Sequence, residues 1–104
     1  PGLPLMTDYL HERTALLPHV APGGVRPRIG RSTRGAIRIG AKIGYRGIVR
    51  EIVAYLTETL GDGVTLVGTG GFARWVLAGS RLPFVIDPHL TLFGLGRIFE
   101  QNAE

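Results

Sequence analysis

Val64-Thr65-Leu66-Val67-Gly68-Thr69-Gly70-Gly71 is the stretch that sets the fold class. Val64 to Val67 is short, apolar and rich in β-branched residues, which predicts a buried strand. The glycines that follow predict a turn, and Phe72-Ala73-Arg74-Trp75-Val76-Leu77-Ala78 predicts a short helix over 72–79. A strand, a glycine turn and a helix in that order can bring backbone against a nucleotide. Alone, Gly68-Thr69-Gly70-Gly71 reads more simply as a tight strand-to-helix turn, because glycine is the default where a chain bends sharply.

Downstream, Arg81-Leu82-Pro83 reads as a connection and Phe84-Val85-Ile86 as a second short strand. Asp87 then predicts a helix cap with Pro88 at the first helical position. Leu90, Leu92, Leu95, Ile98 and Phe99 supply that helix's apolar face, and Gln101 to Glu104 are expected to fray. Upstream, Gly61-Asp62-Gly63 stops a helix running from Arg34 to Leu60, with Ile37, Ala41, Ile48, Ile52 and Leu56 at helical spacing. Ser32 or Thr33 is its expected N-cap. Gly35, Gly40, Gly44 and Gly47 interrupt it, each costing up to about 1 kcal/mol relative to alanine. They predict a kink or break near Gly44 to Gly47, in close contact with another helix or subunit. Before them, Val20 to Ile29 reads as a loop and residues 3–17 as an amphipathic helix ended by Pro18. The order helix, helix, strand, helix, strand, helix is α/β. Two short strands make a poor sheet, so further strands are expected outside these residues.

The 104 residues amount to one domain or half of a larger protein. A hydrophobic fraction of 44% against 19% charged predicts a packed, soluble core. There is no cysteine, hence no disulfide framework or thiolate metal site. No apolar run reaches the roughly 18 residues of a membrane span, and no signal peptide is evident. The chain opens on Pro1-Gly2-Leu3-Pro4, which reads as the middle of a longer protein.

The net charge of +4 is unevenly placed: eight of the twelve basic residues lie between Arg26 and Arg50, and no acid lies between Glu12 and Glu51. Arg34, Arg38, Lys42, Arg46 and Arg50 recur every four residues, a cationic stripe on a helix. It reads either as a phosphate or nucleic-acid contact or as an ordinary charged face. His11, His19 and His89 lack metal-ligand spacing. Asp8 and Glu12 read as a surface pair, and Trp75 as core or as a stacking partner for adenine. No Ser-His-Asp set, phosphate-cradling G-x-x-x-x-G-K-[ST] or Asp-rich loop is present, so no catalytic residue or metal ligand is nominated.

Five stretches in order carry a resemblance: Pro1-Gly2-Leu3, Leu16-Leu17-Pro18, Ile29 to Gly40, Thr69-Gly70-Gly71-Phe72-Ala73 and Asp87 to Leu95. Together they resemble the C-terminal half of type III pantothenate kinases, over nearly all of residues 1–104. The resemblance implies a ribonuclease-H-like domain of the actin-like ATPase fold, with an N-terminal half elsewhere. It implies ATP as co-substrate, pantothenate as acceptor, a step in coenzyme A synthesis, and a cytoplasmic homodimer. Mg²⁺ and a monovalent cation, potassium or ammonium, are implied with ligands outside this chain. Thr69, Gly70 and Gly71 resemble the family's adenosine-side motif. Thr33, with Ala36 completing threonine-x-x-alanine, resembles its pantothenate-contacting threonine, which serves the neighbouring subunit's pocket. The family's phosphate loops, catalytic aspartate and cation aspartate would precede Pro1. Phe93 departs from the pattern, standing where the family often has glutamate. The alternative expectation is a non-catalytic relative that regulates or binds nucleic acid, resting on the Arg34 to Arg50 stripe.

Overall fold

The computed structural model describes residues 2–26 and 29–103. Pro1, Pro27, Arg28 and Glu104, used above in reading the chain start, the loop and the chain end, lie outside the described residues. Helix α1 is Pro4–Glu12, where the missing proline N–H costs nothing in a first turn. It ends before the expected residue 17. Just past its end, Thr14 Oγ1 donates back to Leu10 O at 2.7 Å. Leu16, counted above toward the apolar face, is 93% exposed.

Helix α2 is Thr33–Ile39, and Ser32 caps it: its Oγ accepts the Gly35 N–H at 3.1 Å. The helix continues through a wider π-helical turn, Gly40–Gly44, into α3, Tyr45–Leu60. The expected disruption is therefore present but lies earlier, at 40–44, and the helical course does not break. Glycines at both ends of that turn weaken regular i→i+4 bonding, and the turn buries Ala41. The expected close packing is made in part: a Cβ at Gly44 would lie 3.5 Å from Met6 Cε of α1 and one at Gly35 3.1 Å from Ser32 Oγ, whereas at Gly40 or Gly47 it would meet nothing within 4 Å among the described residues.

Strand β1 is Leu66–Gly68, α4 is Ala73–Leu77 and β2 is Phe84–Ile86. The strands pair in parallel, Leu66 with Phe84, Val67 with Val85 and Gly68 with Ile86, joined by α4 as a crossover. The Asp87 N–H extends the pairing to Gly68 O at 2.9 Å. β1 thus starts two residues later than Val64 and includes the first glycine of the turn. Helix α5 is Leu90–Asn102. Asp87 does not cap it: Asp87 Oδ1 accepts the His89 N–H at 2.9 Å and so closes the turn ahead of the helix. The fold is a mixed α/β arrangement with a small parallel sheet.

Leu3, Ala41 and Val76 form the core, with Met6, Tyr45, Val49, Trp75 and Leu77 packed against them. This core is smaller than the composition predicts. The radius of gyration is 17.0 Å, against about 13 Å for a compact domain of this length. Val67 and Val85 share one open face of the sheet, whereas parallel strands are normally covered on both faces. Phe99 of α5 is 75% exposed. No helix among the described residues is long and apolar enough to cross a membrane.

Candidate functional site

A cleft of about 320 Å³ opens beside the glycine turn. Tyr45 and Val49 of α3 line one side, and Phe72 and Val76 the side formed by α4. Thr69, Gly70 and Gly71 form its rim, and Leu3 and Phe84 also line it. The turn takes this shape for local reasons. Gly70 has φ +101°, open to glycine and strained for other residues. The Ala73 N–H then returns to Gly70 O at 3.2 Å, and the Val76 N–H to Phe72 O at 2.9 Å, starting α4. Gly68 is pinned from within, since a Cβ there would lie 2.5 Å from Leu77 Cδ1. Of the three glycines of this turn, Gly71 alone faces open space without a positive φ.

None of the described residues lining the cleft is charged. Its wall is apolar and partly aromatic, with peptide groups of the glycine turn at the rim. Such a lining suits a planar, weakly polar group such as a nucleobase with its sugar, and has nothing to neutralise a phosphate. α4, at five residues, is too short to supply a strong helix-end field.

Thr69, Gly70 and Gly71 are thus brought together, but Thr33 is not among the cleft residues. It is exposed in the first turn of α2. That turn is set by a close approach: a Cβ on Gly30 would lie 2.6 Å from both Cα and N of Ala36. Trp75 takes the core role. Its Nε1–H donates to Gly23 O at 3.1 Å, and Lys42 Nζ sits 5.1 Å from the ring centroid. Tyr45 and Val49 also line the cleft, with apolar helical spacing as their only signal in the sequence, as does Phe72, which lies in the stretch Thr69 to Ala73 that carries the resemblance.

The cationic stripe has internal partners. Arg34 Nη1 donates to His19 O at 3.1 Å, and Arg38 Nε to Ala21 O at 3.4 Å. Lys42 covers Trp75, and Arg46 donates to Val76 O and Ala78 O. Arg50 has no such partner among the described residues. The stripe therefore fastens the 19–23 loop and the end of α4 to the long helix, so its spacing needs no nucleic acid. One pair escaped the sequence: His19 Nε2 lies 2.7 Å from Asp8 Oδ1, eleven residues away. Both side chains are about half exposed, so the pair adds little. Among the described residues no group of three or more His, Asp or Glu side chains could hold a metal ion.

Comparison with known proteins adds the family. Residues 1–55 match the family model for type III pantothenate kinase. A type III pantothenate kinase of Methylacidiphilum infernorum (isolate V4) is 44% identical over 102 residues, covering 96% of this chain and 38% of the relative. One of Akkermansia muciniphila is 45% identical over 95 residues, covering 91% and 39%. One of Dehalococcoides mccartyi (strain CBDB1) is 34% identical over 102 residues, covering 98% and 39%. The chain spans about two fifths of the length of these curated relatives.

Proposed function

The chain belongs to the type III pantothenate kinase family, and we propose that it is the C-terminal, nucleoside-holding domain, residues 1–104, of a pantothenate kinase. In that reaction the primary hydroxyl of pantothenate attacks the γ-phosphorus of ATP. A new P–O bond forms, the bond to the β-phosphate oxygen breaks, ADP leaves, and the hydroxyl proton passes to a base. The uncharged cleft under Thr69, Gly70 and Gly71 carries the reading: it accepts adenosine and leaves the phosphates to groups outside this chain. Because catalysis of phosphoryl transfer is mostly positioning and charge stabilisation, this domain's share is to fix the nucleoside end.

Mg²⁺ and a monovalent cation belong to the family expectation alone, and no step is routed through either. The open sheet face and the exposed apolar side of α5 support a ribonuclease-H-like domain completed by more chain, with its sheet extended. Gly40 and Gly47, with nothing packed on them, support a homodimer that closes over the long helix and lends Thr33 to the partner's pantothenate pocket. The setting would be cytoplasmic coenzyme A synthesis.

Thr33→Ala tests the assignment in the full gene product. The lost hydrogen bond, about 0.5–1.5 kcal/mol, raises the dissociation constant for pantothenate by roughly two- to tenfold and leaves that for ATP unchanged. Equal pantothenate affinity in mutant and wild type, measured by calorimetry, would remove Thr33 from the site.

A further inference from the structure

The cleft lies between two helices that are far apart in sequence. α3 contributes Tyr45 and Val49, and α4 contributes Ala73 and Val76, with Phe72 at its N-terminal cap. α4 has five residues, too few to hold a helical shape or position unaided. Its C-terminal carbonyls would lack partners at a free helix end. Arg46 meets them. Its Nε–H donates to Val76 O at 3.2 Å, and its Nη2 donates to Ala78 O. The chain then bends around the guanidinium: Gly79 has φ +74° and Arg81 φ +63°, and a Cβ on Gly79 would lie 3.7 Å from Arg46 Nη1. Arg46 itself does not line the cleft, but its neighbour Tyr45 does.

We infer that Arg46 is a positioning residue that sets the spacing of the cleft's two helical walls, and with it the fit of adenosine. This rests on the nucleoside reading of the cleft. One side chain on the first turn of α3 holds two carbonyls two residues apart on the end of α4, so the Tyr45 wall and the Val76 wall move as one body. The guanidinium is required because its planar fork presents several donors at fixed angles, whereas an ammonium is a single point charge. Lysine would keep the charge and lose the bridge.

The test uses the full gene product in three forms: wild type, Arg46→Lys and Arg46→Gln. ATP and pantothenate dissociation constants are measured by calorimetry, and amide hydrogen exchange is followed over residues 73–82. Arg46→Gln is expected to speed exchange there and to weaken ATP binding about tenfold, as expected for lost hydrogen bonds from a charged donor. Pantothenate binding should not change, and Arg46→Lys should fall between. If Arg46→Gln does not fold, Arg46→Lys carries the test with the same selective loss at a smaller size. Faster local exchange with unchanged ATP affinity would overturn the positioning role. So would equal losses for ATP and pantothenate with exchange raised throughout, the mark of general destabilisation. A wild-type protein that binds pantothenate but not ATP would sink the nucleoside reading, and the positioning role with it. Failure confined to the Arg46 variants sinks only the latter.

Discussion

Gly71→Val is expected to fold normally and to lose ATP binding by roughly ten- to hundredfold, the cost of about 1–3 kcal/mol for forcing extra methyl groups into an occupied space. The three glycines of the turn differ in what a side chain would meet. Gly70 has a positive φ, so a side chain there strains the backbone whether or not a ligand binds. At Gly68 a Cβ would press on Leu77 and Ile86. Gly71 has neither constraint: its Cβ meets nothing within 4 Å, yet the residue lines the cleft. Valine there is harmless to the free protein and competes only with what enters the cleft. An unchanged unfolding midpoint together with weakened ATP binding is the expected pair of results. Wild-type ATP affinity in a folded Gly71→Val protein would take the turn out of the nucleotide site.

Gly30→Ala is expected to act on the other substrate and through the backbone. The added methyl would lie 2.6 Å from Cα and N of Ala36 and 2.9 Å from its Cβ. No flexible side chain can yield, so either the loop lifts from α2 or the first turn of α2 opens. That turn is closed by the Ser32 cap and by the Ala36 N–H to Ser32 O bond at 2.9 Å, and it carries Thr33. The expected destabilisation is about 1–3 kcal/mol. Pantothenate binding should fall further than in Thr33→Ala, because the whole turn is displaced and not one hydroxyl. Ala36→Gly does not rescue it, since two of the three close contacts are to backbone. Thermal unfolding and pantothenate calorimetry check both parts. Wild-type stability with wild-type affinity would contradict the contact.

The local parts of this account were legible in the residues. Phe84 to Ile86 stands out by β-branching and bounding turns, and Ser32 by its place before a helical pattern; both are found where expected. The spacing of Leu16 carries the helical pattern past Glu12, but α1 ends at Glu12 and Leu16 is 93% exposed, so periodicity without burial overstates the helix. The glycine run correctly marked a weak place in the long helix, but the register of the π-helical turn depends on Ala41 entering the core. The stripe showed its period and not its purpose. Its acceptors are carbonyls of residues 19, 21, 76 and 78, and a carbonyl has no signature in a sequence. For the same reason Arg46, some thirty residues from its acceptors, could not be read as the link between the cleft walls. The composition overstated the core because the open sheet face and α5 carry apolar residues that nothing in the described residues covers.

The central claim is that this domain presents ATP's nucleoside end to a phosphoryl transfer onto pantothenate. The most direct measurement is formation of 4′-phosphopantothenate from ATP and pantothenate by the purified full gene product, with Gly71→Val alongside. The account predicts product from the wild type and, at limiting ATP, a rate lowered roughly in proportion to the lost ATP affinity in Gly71→Val. A folded wild-type protein that binds both ligands and forms no phosphopantothenate, or a Gly71→Val protein as fast as wild type at limiting ATP, would contradict it.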